Sequence, residues 1–173
     1  MIIGPKYKIA RRLGAAVFEK TQTQKFAQSE ARHAKFAKKS KRRGSVSIYG
    51  AQLIEKQKIR YTYGITEHQL ANYVKKATTL KKGAAKDNLY QLLEARLDNV
   101  AYRAGIADTR RQARQMASHG HLLVNGKRTT VPSYSLTNGD VFGIREGSKT
   151  SPLFANTEKK TQEFTTPAWL TFD

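Results

Sequence analysis

The sequence predicts an α+β protein: a helical N-terminal domain joined to a module of two short helices packed on a small antiparallel sheet. Three observations carry that prediction. Apolar residues recur at helical spacing through residues 46–80. Thr66 and Thr109 each have a glutamine three residues on, the spacing of a capping box in which each side chain satisfies an orphan backbone N–H. Asn125-Gly126 lies between two strand-like runs, and that dipeptide suits a two-residue hairpin turn because both central residues need positive φ.

Residues 1–19 predict a short amphipathic helix after Gly4-Pro5. Ile9, Leu13, Val17 and Phe18 fall at helical spacing, with Lys6, Lys8, Arg11 and Arg12 around them. A helix docked on a core is the preferred reading, its outer cations still available to a partner. Residues 20–45 carry nine Lys or Arg and one acid, with Phe26 and Phe36 their only large apolar side chains. Such a stretch buries too little surface to offset its ordering entropy, so it is predicted flexible when free.

Residues 46–80 predict a helical hairpin. Ser47 caps a helix to about Tyr61, Gly64 breaks the chain, and Thr66 opens a second helix to about Leu80 with Leu70, Tyr73, Val74 and Ala77 inward. Lys56, Lys58, Arg60, Lys75 and Lys76 decorate the pair. Tyr49, Tyr61, Tyr63 and Tyr73 can stack on bases or fill part of a core, the core being the commoner place for tyrosines at helical spacing. Residues 81–87 form a linker that ends on Asp87, a candidate N-cap. The stripe Leu89, Leu92, Leu93 and Leu97 then predicts a helix running directly into the module.

In the module the first helix buries Leu97, Val100 and Ala101 and stops at Gly105, which tolerates the left-handed conformation past a helix end. The second starts at Asp108 or Thr109, turns Ala113, Met116 and Ala117 inward, and ends at Gly120. Residues 122–124 and 127–131 flank the Asn-Gly turn, and Pro132 ends the second strand. Residues 141–145, introduced by a turn at 137–140, add a third. Residues 147–166 are polar with one helical turn, and Pro167-Ala168-Trp169-Leu170 is apolar.

Lys and Arg number 32 against 13 acids, a net charge of +19. No set of pKa shifts removes such an excess, so the partner is a polyanion: nucleic acid or an acidic membrane surface. No apolar run is long enough to span a bilayer, and the start lacks the apolar region of a secretory signal, so a cytosolic protein is expected. The absence of cysteine excludes disulfides and thiolate metal sites. His33, His68, His119 and His121 have no ligand spacing with carboxylates, so no metal and no cofactor are expected. There is no Ser/His/Asp order, Gly-rich phosphate loop or acidic pair; the expected chemistry is binding. Residues 1–93 hold 21 Lys and Arg against five acids, net +16, and residues 94–173 hold 11 against eight, net +3. The first half is therefore the larger electrostatic footprint, although the module has the clearer motif.

Arg96, Arg103, Arg110, Arg111, Arg114, Lys127 and Arg128 gather where the module's elements meet. The planar fork of arginine suits phosphate, and a helix N-terminus adds aligned N–H groups. Cations crowded at a helix start oppose its dipole, which points to an anionic partner. The competing reading is a solvated helix face with ion pairs to Asp98 and Asp108.

RLDNVAYRAG, followed by TRRQARQMASHGHLLVNGKR and NGDVFGIRE, resembles the small RNA-binding module known as the S-four domain. GPKYKIARRLG, IYGAQLIEKQKIRYTYGITEHQLANY and PAWLTFD extend the resemblance to the bacterial S-four family of small-subunit ribosomal proteins, with residues 20–43 matching poorly. The resemblance implies a basic arm with a short helix (1–45), a helical domain (46–93) completed by 155–173, and the module (94–154) inserted between them. It implies a structural constituent of the small subunit, on the cytoplasmic ribosome, that binds and organises a helical junction in the 5′ domain of ribosomal RNA during assembly. The residues expected to meet RNA are Arg96, Arg103, Thr109, Arg110, Arg111, Arg114, Gln115, His119, Asn125, Lys127 and Arg128 in the module, and Lys6, Lys8, Arg11, Arg12, Lys56, Lys58 and Arg60 before it. Lys41, Arg42 and Arg43 would lie near the path by which messenger RNA enters and contribute to accuracy, or else contact ribosomal RNA unspecifically. Neighbouring small-subunit proteins, especially S-five, are implied as partners; longer relatives reach that neighbour through residues beyond the position of Asp173. Many relatives carry a metal-binding cysteine cluster in the stretch matching 20–45, which this sequence lacks.

Two other classes compete. Pseudouridine synthases and a tyrosyl-transfer-RNA synthetase use similar modules as anchors, but the flanks here hold no active-site signature. A free RNA-binding translational regulator or stress protein could use the same module, and cosedimentation with small subunits after a high-salt wash separates it from a structural protein.

Overall fold

Past Pro5 the chain enters α1 (Lys6–Leu13) in the computed structural model, which describes residues 3–37, 47–81, 83–155 and 166–171. Two units are distinguishable, Met1–Leu70 and Ala71–Asp173.

In the first unit α1 stops at Gly14, whose φ of 63° is left-handed, so Val17 and Phe18 lie beyond the helix predicted to contain them. Phe18 is buried and meets the Tyr61 ring edge-on at 5.9 Å. The Thr21 hydroxyl donates to the Phe18 carbonyl at 2.6 Å and closes a 3-10 turn, Glu19–Thr21. The helix α2 (Gln24–Ala37) occupies most of the described part of the stretch predicted flexible when free; residues 38–45 lie outside the described residues. Its anchor is Phe26, buried against the Tyr7 ring at 5.1 Å.

The helix α3 (Ile48–Tyr63) begins as predicted at Ser47, whose Oγ accepts from the Gly50 N–H at 3.1 Å, and ends at left-handed Gly64. The helix α4 (Glu67–Thr79) opens with a complete capping box: the Gln69 N–H donates to Thr66 Oγ1 at 3.3 Å, and the Thr66 N–H to Gln69 Oε1 at 3.0 Å. Of the four tyrosines, Tyr63 is buried, Tyr61 and Tyr73 make ring or hydroxyl contacts, and Tyr49 is exposed.

In the second unit α5 (Ala85–Glu94) starts on Ala84, so Asp87 sits in its first turn and is not the cap. The start is held by buried Asn88, whose Nδ2 donates to the carbonyls of Ala77 and Leu80, both at 3.3 Å. The predicted continuous helix into the module is broken. Arg96 is extended (φ −69°, ψ 135°) and bridges to Ser135. The segment 132–136 takes the backbone groups: Leu97 N–H donates to Tyr134 O at 2.8 Å, Asp98 N–H to Pro132 O at 3.0 Å, and Leu136 N–H to Ala95 O at 2.8 Å. A fresh helix, α6 (Leu97–Arg103), therefore begins, and it ends before left-handed Gly105. In α7 (Arg110–Ser118) Thr109 Oγ1 accepts from the Gln112 N–H at 3.1 Å, while Gln112 Oε1 accepts from the Asp108 N–H at 3.0 Å, one residue earlier than a strict box.

The strands β1 (Leu122–Val124), β2 (Lys127–Thr129) and β3 (Phe142–Ile144) form an antiparallel sheet ordered β2-β1-β3, with Leu122 opposite Thr129 and Ile144. The module core is Leu97, Ala101, Ala107, Ala113, Met116, Ala117, Leu122, Val124 and Phe154. Each large side chain so buried contributes about 1.5–3 kcal/mol. The one-turn helix α8 (Glu146–Lys149) follows the sheet. Of the apolar tail, Trp169 and Leu170 line a hollow with Tyr90 and Gln91 of α5, Leu136 and Phe142.

Candidate nucleic-acid interface

The face is built where α5, α6 and α7 meet. Burial of Ala113, Met116 and Ala117 leaves Arg110, Arg111, Arg114, Gln115 and Ser118 on the other side of α7. Two buried carboxylates lie beneath. Asp98, 2 % exposed, accepts from Arg96 Nε at 3.0 Å and Nη2 at 2.8 Å, and from Arg114 Nε at 2.8 Å. Glu94 accepts from Arg103 Nε at 2.9 Å and Nη2 at 3.0 Å, and from Asn99 Nδ2 at 2.9 Å. Asn99 carries the chain outward: its Oδ1 accepts from Arg110 Nε at 2.7 Å, and the Arg110 guanidinium lies 4.4 Å from the centre of the Tyr102 ring.

The four arginines differ in exposure. Arg96 has a side chain only 4 % exposed, and Nη1 also donates to the Tyr73 hydroxyl at 2.7 Å. Burial opposes its charge, but hydrogen bonds and charge from Asp98 outweigh that, with help from Tyr73, and its pKa ends above the ordinary arginine value. Arg103 and Arg114 keep 33 % and 31 % of their side chains exposed, and Arg110 is partly exposed. Arg103 and Arg114 are gripped through Nε and Nη2 and Arg110 through Nε, and each keeps part of its side chain at the surface.

Elsewhere in the module Arg111, Gln115, His119, Lys127 and Arg128 are exposed. Arg128 Nη2 donates to the His119 carbonyl at 3.2 Å and its guanidinium lies against Gly120. Thr109 is occupied as the cap of α7. Asn125 serves the hairpin: with φ of 50° it donates from Nδ2 to Asp140 Oδ1 at 2.9 Å and accepts from the Val141 N–H at 2.9 Å. Asp140 also accepts from the Thr137 N–H at 2.7 Å and hydroxyl at 2.9 Å. The Thr137 N–H first, then the Asn125 amide and the Thr137 hydroxyl, hold its carboxyl below the usual aspartate value.

The candidates in the first unit form a separate set. Lys8 and Arg12 are exposed on α1, Arg11 Nε donates to the Tyr7 carbonyl at 3.3 Å, and Lys6 lies 5.7 Å from the Phe18 ring centre. Lys56 and Arg60 both bind Glu67, and the Lys56 hydrogen bond is the main reason that the Glu67 carboxyl titrates low. Lys58 pairs with Glu55 at 2.6 Å. Lys41, Arg42 and Arg43 lie outside the described residues. Among the described residues no group of three or more His, Asp or Glu could hold a metal ion, and no helix is long and apolar enough to cross a membrane.

Sequence reasoning singled out Asp98 but missed Glu94, Asn99 and Tyr102. The available signal was an acid and an amide set among Leu93, Leu97, Val100 and Ala101, where polar groups need partners.

The family model of the ribosomal protein S4/S9 N-terminal domain matches residues 1–94, and that of the S4 domain matches residues 95–142. The small ribosomal subunit protein uS4 of Ligilactobacillus salivarius is 50% identical over 146 residues, 84% of this chain and 71% of that protein. The protein of the same name from Hahella chejuensis is 43% identical over 171 residues, covering 99% of this chain and 82% of the relative. That from Streptococcus gordonii is 44% identical over 170 residues, covering 98% and 81%.

Proposed function

The chain belongs to the family of the small ribosomal subunit protein uS4, and we propose that it is a structural constituent of the small ribosomal subunit that binds ribosomal RNA. Its work is binding, not catalysis. The observation that carries the RNA reading is the row Arg103, Arg110 and Arg114: three guanidinium groups from two helices, held from below and turned to the surface. A-form RNA offers phosphates, 2′-hydroxyls and junction shape, because its major groove is too narrow for side chains to read. Fixed planar donors suit that target.

The contacts divide by placement. Arg103, Arg110, Arg111, Arg114, Gln115, His119, Lys127 and Arg128 are assigned to RNA directly. Arg96, Thr109 and Asn125 hold the elements that present them. Lys6, Lys8, Arg11, Arg12, Lys56, Lys58 and Arg60 neutralise neighbouring phosphates. The finer reading, which rests on the resemblance, is that the target is a helical junction of the 5′ domain bound during assembly. It also sets Lys41, Arg42 and Arg43 along the messenger entry path and makes S-five a neighbour.

A filter-binding titration at two salt concentrations tests this, with the five-way-junction fragment from the 5′ side of small-subunit ribosomal RNA against a scrambled RNA of equal length. Tight binding to the junction that persists at the higher salt is expected. Equal binding to both RNAs, collapsing with salt, would overturn the reading and leave only the effect of the +19 charge.

A further inference from the structure

The module buries more acid than its core needs and gives it more arginine than charge balance needs. Arg96 already makes a buried, two-point pair with Asp98. Arg114 comes to the same carboxylate from another helix, with Nη2 at 2.7 Å as well as Nε. Glu94 holds Arg103 by two bonds and, through Asn99, reaches Arg110. Two buried acids thus hold three surface guanidinium groups. Apolar side chains would fill the same space without desolvating charge, so stability alone is a weak account of the arrangement. What the acids supply is orientation. Each arginine is held on its Nε edge, so its rotamer freedom is lost on folding and not on binding RNA.

We infer that Glu94 and Asp98, with Asn99, are positioning residues for RNA selectivity: they fix the planes of Arg103, Arg110 and Arg114, so that only RNA with phosphates in matching places engages all three. The inference rests on the RNA-binding reading above. It makes a prediction opposite in sign to simple electrostatics. Removing a negative charge from so basic a protein would strengthen binding to any polyanion if charge alone mattered. Here, losing the acid weakens binding to the matching RNA and leaves binding to other RNA level or stronger.

The test uses the full chain. Glu94→Gln and Asn99→Ala are titrated against the junction fragment and the scrambled RNA, with thermal melting followed by circular dichroism. Glutamine removes the charge that grips Arg103, and alanine removes the amide that ties Arg110 to Glu94; neither residue is assigned a contact with RNA. We expect each variant to lose about tenfold or more on the junction and to stay within about twofold, or gain, on the scrambled RNA. If Glu94→Gln does not fold, Asn99→Ala decides by the same ratio. Unchanged selectivity in a folded variant would overturn the positioning role while leaving the RNA-binding reading intact. Failure of the unaltered protein to prefer the junction would overturn both.

Discussion

Arg96 heads the basic cluster in the sequence, yet its guanidinium is enclosed by Asp98 and Tyr73. Its role is to make a buried carboxylate tolerable. Arg96→Ala removes one partner of a buried pair, a loss of about 3–5 kcal/mol. It should appear as a lower urea midpoint, and an unchanged midpoint would remove Arg96 from the fold's foundations. Asp140 sets a pH dependence at the hairpin end. Its folded pKa is depressed, so its contribution is fully present above the unfolded carboxylate value of about 3.9 and is lost as pH falls through the lower folded value. The thermal midpoint of the unaltered protein should therefore exceed that of Asp140→Asn at neutral pH, and the gap should close in acid. A gap that persists to pH 2 would assign the difference to packing. These two residues also mark what local sequence can tell. The Asn125-Gly126 turn was legible because its demand for positive φ is written in two adjacent residues. The burial of Arg96 was not, because Tyr73 lies 23 residues away and arginine is seldom enclosed.

Among the elements, most local signals came out as read. Ser47, the Thr66–Gln69 pair and Gly105 each act within four residues of themselves, and each marks the helix boundary expected of it, whereas Asp87 falls inside the first turn of α5 and not at its cap. The larger departures depend on distant chain. The leucine stripe from Leu89 to Leu97 keeps helical spacing across Ala95 and Arg96, so periodicity cannot show the break that the 132–136 segment makes there. Likewise, α2 is secured by Tyr7 against Phe26, a contact that composition cannot foresee. Gly120 joins a local requirement to a distant one. It closes α7 with φ of 73°, and the Arg128 guanidinium occupies the place a Cβ would take. Gly120→Ala should cost about 1–2 kcal/mol for the left-handed backbone alone. It should also push Arg128 off the His119 carbonyl and weaken RNA binding beyond what the lower stability explains. Loss of stability with unaltered RNA affinity at a temperature where the variant is folded would show that the position of Arg128 is immaterial to binding.

Over the whole molecule the positive charge is of two kinds. The compact units carry it more evenly than the division at residue 93: Met1–Leu70 holds 16 Lys and Arg against four acids, and Ala71–Asp173 holds 16 against nine. What differs is how the cations are held. Lys8 and Arg12 stand exposed on α1, whereas Arg103 and Arg114 are tied to buried acids. Exposed cations attract any polyanion and act through counterion release, which fixes the slope of affinity against salt. Tied cations choose among RNA shapes. The double variant Lys8→Gln/Arg12→Gln should therefore lower the salt slope by about 1–2 and weaken junction and scrambled RNA by the same factor. Arg114→Ala should change the slope by about 1 at most, yet weaken the junction complex by about 1–3 kcal/mol and the scrambled complex much less. Titrations of both variants across a salt series measure the two effects separately. If the α1 variant instead lost its preference for the junction, α1 would be reading RNA shape, and selectivity would not reside in the arginines that α6 and α7 hold over Glu94 and Asp98.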